Sequence, residues 1–161
     1  MAQVDAFLKL EGIKGESTDS KHKEEIEVLS WSWGMQNAGT AHYGSGSGAG
    51  KVQVSDINIV KRVDTATPVL MKSCTKGDHI KKGTLVVRKA GGDQLEYFKL
   101  ELGDILVSSI QAHSDANSPL LMEQVALNFK TFKVIYVPQT KTGGAGAPSE
   151  FGYDLSAGKS V

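Results

Sequence analysis

The chain has 161 residues and a mass of 17.2 kDa, the size of one domain with room for a proper core. Its 18 Lys and Arg balance 18 Asp and Glu, so no net charge draws it to nucleic acid or to an anionic membrane. A single cysteine, Cys74, excludes an internal disulfide and a structural zinc held by thiolates. Asp5, Lys9 and Glu11 interrupt the first residues, so no apolar core of a cleavable signal is expected there, and no run approaches the 18 apolar residues of a membrane span.

Most of the chain reads with period two, the mark of strands with one buried face. Val4–Glu11 alternates, with Phe7 out of phase. Gly12–His22 is a polar loop rich in turn residues. From Glu25 to Met35 a strand places Leu29, Trp31, Trp33 and Met35 on one face and Ser30, Ser32 and Gly34 on the other. Asn37–Gly50 is a glycine-serine loop, expected to be mobile in the free chain. Lys51–Arg62 is extended, with a phase slip near Asp56 that suggests a bulge.

One helix is expected at about 65–76. Thr67-Pro68 or an earlier start at Asp64 or Thr65 opens it, Leu70 and Cys74 share its inward stripe, and Gly77 ends it. Thr84–Ala90 and Leu95–Leu102 flank a Gly91-Gly92-Asp93 hairpin turn, Ile105–Ala112 follows a Gly103-Asp104 turn, and Leu121–Val137 is a long strand with a shift of phase near Phe129–Phe132. Phe151–Leu155 closes the chain as a short strand. The expected fold is mainly β: a two-sheet antiparallel barrel or sandwich with one flanking helix, a single domain over 1–161. Leu29, Trp31, Trp33, Leu70 and Cys74 are its expected core markers.

Catalytic motifs are missing. His22, His42 and His113 fall in loops and His79 follows the helix; none has metal-ligand spacing, and they read as surface or turn residues. Gly44–Ala49 matches G-x-G-x-x-A, but a strand follows where a dinucleotide site needs a helix. Gly50-Lys51 lacks the Ser or Thr that a P-loop needs at Val52. Adjacent Glu24 and Glu25 point to opposite faces and cannot act as a pair. No catalytic residue, metal or cofactor is expected. Trp31 and Trp33 leave one binding alternative, a monomeric β-sandwich module that stacks carbohydrate on two exposed tryptophans.

The small polar face of Ser30 and Ser32, two costly glycine loops and uncovered strand edges all suit self-assembly better. The sequence also carries a resemblance along nearly its whole length. Lys14-Gly15-Glu16-Ser17, Glu24-Glu25-Ile26 leading into Val28–Met35, Gly48–Val52, Thr67–Met71, Val87–Gly92 with Glu96-Tyr97, Val107-Ser108-Ser109, Leu127-Asn128-Phe129 and Gly152-Tyr153-Asp154 together resemble the Hcp family, the tube proteins of type VI secretion systems. Tyr153 stands where relatives often carry Trp.

The resemblance implies a fold like that of phage tail tubes; no enzymatic activity is expected, and, with Val161 following directly on the closing strand, no fused effector domain is expected either. It implies homohexameric rings that stack into a hollow tube, with a contractile sheath, a spike and small effector proteins as partners. The subunit would assemble in the cytoplasm and leave the cell without a cleaved signal peptide, reaching the medium or a target cell. On this reading Ser32 and Ser30 face the lumen and its cargo, and Gly39, His42, Tyr43, Gly46, Gly48 and Gly50 belong to a loop that orders against the next ring. Nucleic acid and membrane insertion are not expected.

Overall fold

The period-two stretches become strands in the computed structural model, which describes residues 4–37, 39 and 51–161. In chain order the elements are β1 (Val4–Leu10), β2 (Ile26–Val28), β3 (Ser30–Ser32), β4 (Met35–Gln36), β5 (Gln53–Val54), β6 (Ile57–Arg62), α1 (Ala66–Lys76), β7 (His79–Lys89), β8 (Glu96–Ser114), β9 (Leu121–Tyr136), β10 (Ser149–Asp154) and β11 (Lys159–Ser160). Nine strands form one antiparallel sheet in the order β11-β10-β9-β8-β7-β1-β2, with β6 also paired to β9 and β3 to β6. β4 and β5 make a separate two-stranded ribbon. The fold is mainly β with one helix, as the sequence suggests, although the ladder is not a closed barrel.

β8 and β9 are longer than any other strand they pair with; along its other side β9 passes from β6 to β10, and β8 pairs with β7 over its first half only. The first half of β8 pairs with β7, ending at Leu106 opposite His79. The first half of β9 pairs with β6 and its second half with β10. Leu8, Leu10, Ile26, Ile57, Ile59, Leu85, Leu100, Leu102, Ile105, Val125, Leu127, Phe129 and Phe132 fill the core between the arms so formed.

Three local readings change. Gly103-Asp104 is not a turn: β8 runs through it, and Asp104 takes a positive φ of 53° inside the strand. The slip near Asp56 is a break between β5 and β6, which lie in different sheets, and the bulge sits instead at Ser108, between Val107 and Ser109. Leu29 is not core: it is 48% exposed. The chain bends there as it leaves β1 for β6, its N–H donating to Val60 O at 2.8 Å. The inward positions are therefore even before the bend (Ile26, Val28) and odd after it (Trp31, Trp33). Trp31 stacks on Phe98 and Trp33 meets Phe129 and Phe132 edge-on, both half-buried.

α1 starts after Thr65, the earlier of the starts considered. Asp64 Oδ1 accepts the Ala66 N–H at 2.9 Å, and Pro68 falls in the first turn, where its missing N–H costs nothing. Gly77 ends it in the left-handed region, φ 67°, where a side chain would be strained. Leu70 is buried and Cys74 packs half-buried on the core.

The polar loop 12–25 folds back over the outer face of β1. Gly15 is required there, since a Cβ would lie 2.5 Å from Glu25 O. Arg88, 2% exposed, holds the loop through Asp19 at 2.9 and 2.5 Å and lies over the Phe7 ring. His22 stacks on the same ring, centroids 4.4 Å apart. Its Nδ1 lies 3.0 Å from Glu25 Oε1 and its Nε2 2.8 Å from Glu96 Oε1. His22 is thus a buried clamp and not a surface histidine. Burial would raise the Glu96 carboxyl, but hydrogen bonds with His22 and Lys99 outweigh it and hold it below its ordinary value.

The Arg88 hydrogen bond holds the Asp19 carboxyl down at about 2, against 3.8 for a free group. A depressed carboxyl stabilises the fold above the unfolded value and loses that effect as pH falls through the folded one. Asp19→Asn is therefore expected to cost about 2 kcal/mol at pH 7. In urea unfolding, the gap between wild type and variant should narrow as pH falls below 3.8 and close only below about pH 2.

Candidate functional site

The outer face of the sheet across β3, β6, β9 and β8 carries two successive rungs without charge. Because Ile57, Ile59 and Val125 point into the core, Asn58, Val60 and Gln124 must point away from it. The registers then set two rungs across four strands. One runs Ser32, Asn58, Ala126, Ser109 from β3 through β6 and β9 to β8. The next runs Ser30, Val60, Gln124, Gln111. Hydroxyls, amides and small apolar groups fill both rungs, and Arg62 and Asp56 mark the two ends of β6 beyond them. Ser30 and Ser32 are exposed on this face, on the opposite side of β3 from Trp31. Sequence reading found the two serines but not Asn58, Gln124, Gln111 and Ser109, whose neighbours come from strands distant in the chain.

The two borders of this face are open. β3 pairs only with β6, and β8 from Val107 to Ser114 pairs only with β9 among the described residues. Neither segment contains Lys, Arg, Asp, Glu or Pro, the residues that usually blunt a free edge. The bulge that opens the β8 edge is pinned by Asp56. Its Oδ2 accepts the Ser108 hydroxyl at 2.6 Å and its Oδ1 accepts the Asn128 amide at 2.9 Å. Ser108 also donates to Ala126 O at 3.1 Å.

Of the expected loop residues, Gly39 is described: it is exposed with φ 61°, its N–H donating to Asn37 Oδ1 at 3.3 Å. His42, Tyr43, Gly46, Gly48 and Gly50 lie outside the described residues. At the root of that segment Met35, Val54, Phe132, Phe151 and Tyr153 line a cavity of about 390 Å³. The other described histidines stand apart. His79 pairs with Asp104 at 2.6 Å, and His113 lies in β8 and not in a loop. Among the described residues no three His, Cys, Asp or Glu side chains are placed to hold a metal ion, and no helix is long and apolar enough to cross a membrane.

Comparison with known proteins gives this geometry its context. The profile of the family described as "Type VI secretion system effector, Hcp" matches residues 7–136. The chain is 44% identical over 154 residues to Protein hcp1 of Pseudomonas aeruginosa, covering 94% of this chain and 95% of that one. It is similar to the crystal structure of Hcp1 from Salmonella typhimurium, with a TM-score of 0.83, 40% identity and coverage of 99% and 100% of the two chains. A structure described as a type six secretion system protein superimposes with a TM-score of 0.91 at 31% identity, over 98% and 99% of the chains. A profile match over most of the length, together with identity well above 30% across nearly all of a relative, places the protein by descent: the chain belongs to the Hcp family of type VI secretion system proteins.

Proposed function

We propose that the protein is the ring-forming tube subunit of a type VI secretion system, that six copies close a ring, and that the uncharged face lines its lumen. The observation that carries this reading is the pair of unprotected edges bordering one neutral four-stranded sheet. A free edge offers unpaired N–H and C=O groups, and seven or eight of them in a row on β8 favour pairing with another strand. If the β8 edge of one copy meets the β3 edge of the next, the contact is head-to-tail, and such contacts build rings when the rotation closes. Six such sheets make a barrel of about 24 strands, wider than the 16–18-stranded barrels that hold an aqueous channel.

The lumen chemistry follows. An uncharged wall of hydroxyls and amides has no electrostatic hold on a passing protein and exposes little apolar area to trap one. It suits transport of small effector proteins that bind reversibly. Stacking of rings would use the segment around Gly39, His42, Tyr43, Gly46, Gly48 and Gly50. The sheath and spike would be the assembled tube's other partners, and the tube would carry its subunits from the cytoplasm out of the cell.

Three outcomes test the proposal. Light scattering on a sizing column should give about six times 17.2 kDa, roughly 103 kDa, with ring-shaped particles in electron micrographs. A 17.2 kDa monomer persisting at high concentration overturns the ring. Ser32→Gln should keep the ring mass and lose a co-purifying effector that wild type retains; undiminished retention removes Ser32 from the cargo surface. Asp56→Ala should cost about 1 kcal/mol in monomer stability, since only part-exposed hydrogen bonds are lost. Its ring fraction should nevertheless fall markedly, because the Ser108 bulge aims the β8 edge; an unchanged ring fraction separates Asp56 from assembly.

A further inference from the structure

Directly beneath the neutral face lies a charged cluster built on a fully buried pair. Lys61 on β6 and Glu123 on β9 are opposed in the ladder, 1% and 0% exposed, and Lys61 Nζ donates to Glu123 Oε1. Nζ also donates to Asp64 Oδ1 at 2.8 Å and to Arg62 O at 2.9 Å. Thr67, in the first turn of α1, donates its hydroxyl to the same Glu123 oxygen at 2.7 Å. Glu123 Oε2 is buried with no hydrogen-bond partner among the described residues. A buried carboxylate satisfied on one oxygen only is an expensive way to fill a core, and two apolar side chains would fill it as well.

We propose that the Lys61–Glu123 pair is the register key of the luminal sheet, selecting one alignment of β6 on β9. β6 and β9 are about sixty residues apart in the chain, so no tight turn fixes their alignment as the Gly91–Asp93 connection does for β7 and β8. A slip of one residue would turn aliphatic side chains outward and is excluded by the alternation itself. A slip of two residues is not excluded by alternation: it keeps Ile57 and Ile59 inward, opposite Phe129 and Leu127 in one direction and opposite Val125 and Glu123 in the other. That slip places Lys61 opposite Val125 or Leu121; Lys61 keeps Asp64, its neighbour in the chain, but Glu123 is left buried without a cation, which the interior does not tolerate. The pair discriminates where hydrophobic patterning is blind. Its second contact, through Thr67, ties the start of α1 to the same rung.

The consequence for assembly rests on the function proposed above. A two-residue slip would move Ser30 and Ser32, carried on β6, along the face and displace the β3 edge by about 7 Å relative to the β8 edge. Rings would then fail to close with uniform subunits.

The test reads register directly, in the whole chain and independently of ring formation. Val60 and Gln124 are opposed across β6 and β9. Val60→Cys with Gln124→Cys, in a Cys74→Ser background, reports the native register by disulfide formation. Val60→Cys with Met122→Cys or with Ala126→Cys reports the slipped ones, since diagonal positions are about 7–8 Å apart and beyond easy bridging. With Lys61 and Glu123 intact, only the opposed pair should cross-link. With Lys61→Met and Glu123→Met together, the melting temperature should stay within about 5 °C of wild type. A slipped pair should then cross-link as well, to a tenth or more of the opposed yield. Cross-linking confined to the opposed pair in the Met variant overturns the proposal. So does a Met variant that fails to fold, because the pair would then supply stability and not register. If wild-type protein forms no rings, the assembly reading fails while the cross-linking result stands.

Discussion

Everything in this molecule hangs on the antiparallel ladder between β8 and β9, which runs from Phe98 opposite Tyr136 to Ser114 opposite Leu121. Two strands this long cannot be served by one set of neighbours. The sheet twists as it proceeds, so the two halves of the ladder recruit different partners. β7, β1 and β10 gather at one half, β6 and β3 at the other. The core forms in the angle between the halves, and the helix, anchored by Leu70, closes part of it. A fold built this way has one ladder and two outer faces, each free to take its own chemistry.

The two faces differ sharply. On the β7–β10 half, the rung Lys9, Thr84, Glu101, Lys133 is charged, and Lys133 pairs with Glu150 at 3.3 Å. Charged residues in alternation keep a surface soluble and resist edge pairing. On the β3–β6 half, two successive rungs of the same ladder carry only hydroxyl, amide and small apolar groups before Arg62 and His113 end the run. Near β1 the outer surface is covered from within the chain: Arg88, Phe7 and the loop's own His22 stack in series, and the Arg88–Asp19 ion pair and the His22–Glu96 hydrogen bond hold the loop 12–25 down. One outer region is solvated, one is covered by its own loop, and one is left neutral and open.

Alternation made the strands legible, because burial on one face writes period two into the sequence. The helix was legible through Pro68, Leu70 and Gly77. What stayed hidden was local geometry without a composition cost. Leu29 reads as part of a continuous inward face, yet a single bend reverses the phase between Val28 and Trp31. Gly103-Asp104 has turn composition but serves a kink inside β8, where a Cβ at Gly103 would meet the Thr131 hydroxyl at 2.3 Å. His22 sits in a polar loop by composition, and only folding brings Phe7 and Glu96 to it. Of the neutral face, β3 alone was readable. Asn58, Gln124 and Gln111 join it through registers between strands far apart in the chain, which no local pattern records. Lys61 carried a usable signal, an inward phase after Ile57 and Ile59, and Glu123 carried the matching one before Val125 and Leu127.

That signal shows how the neutral face and the buried charges belong together. A face stripped of charge loses the means by which strands usually tell one alignment from another, since opposed charges on the surface reward one register and penalise the rest. Val60, Ala126 and the amides of the outer rungs are tolerant of each other in almost any pairing. The information has to be placed somewhere else, and the side of the sheet that remains is the core. There a lysine and a glutamate discriminate strongly because water is absent, and they do so without showing any charge on the surface above them. A neutral face and a polar pair buried behind it are, on the register proposal, two halves of one solution: the face can do without charge because its alignment is enforced from underneath.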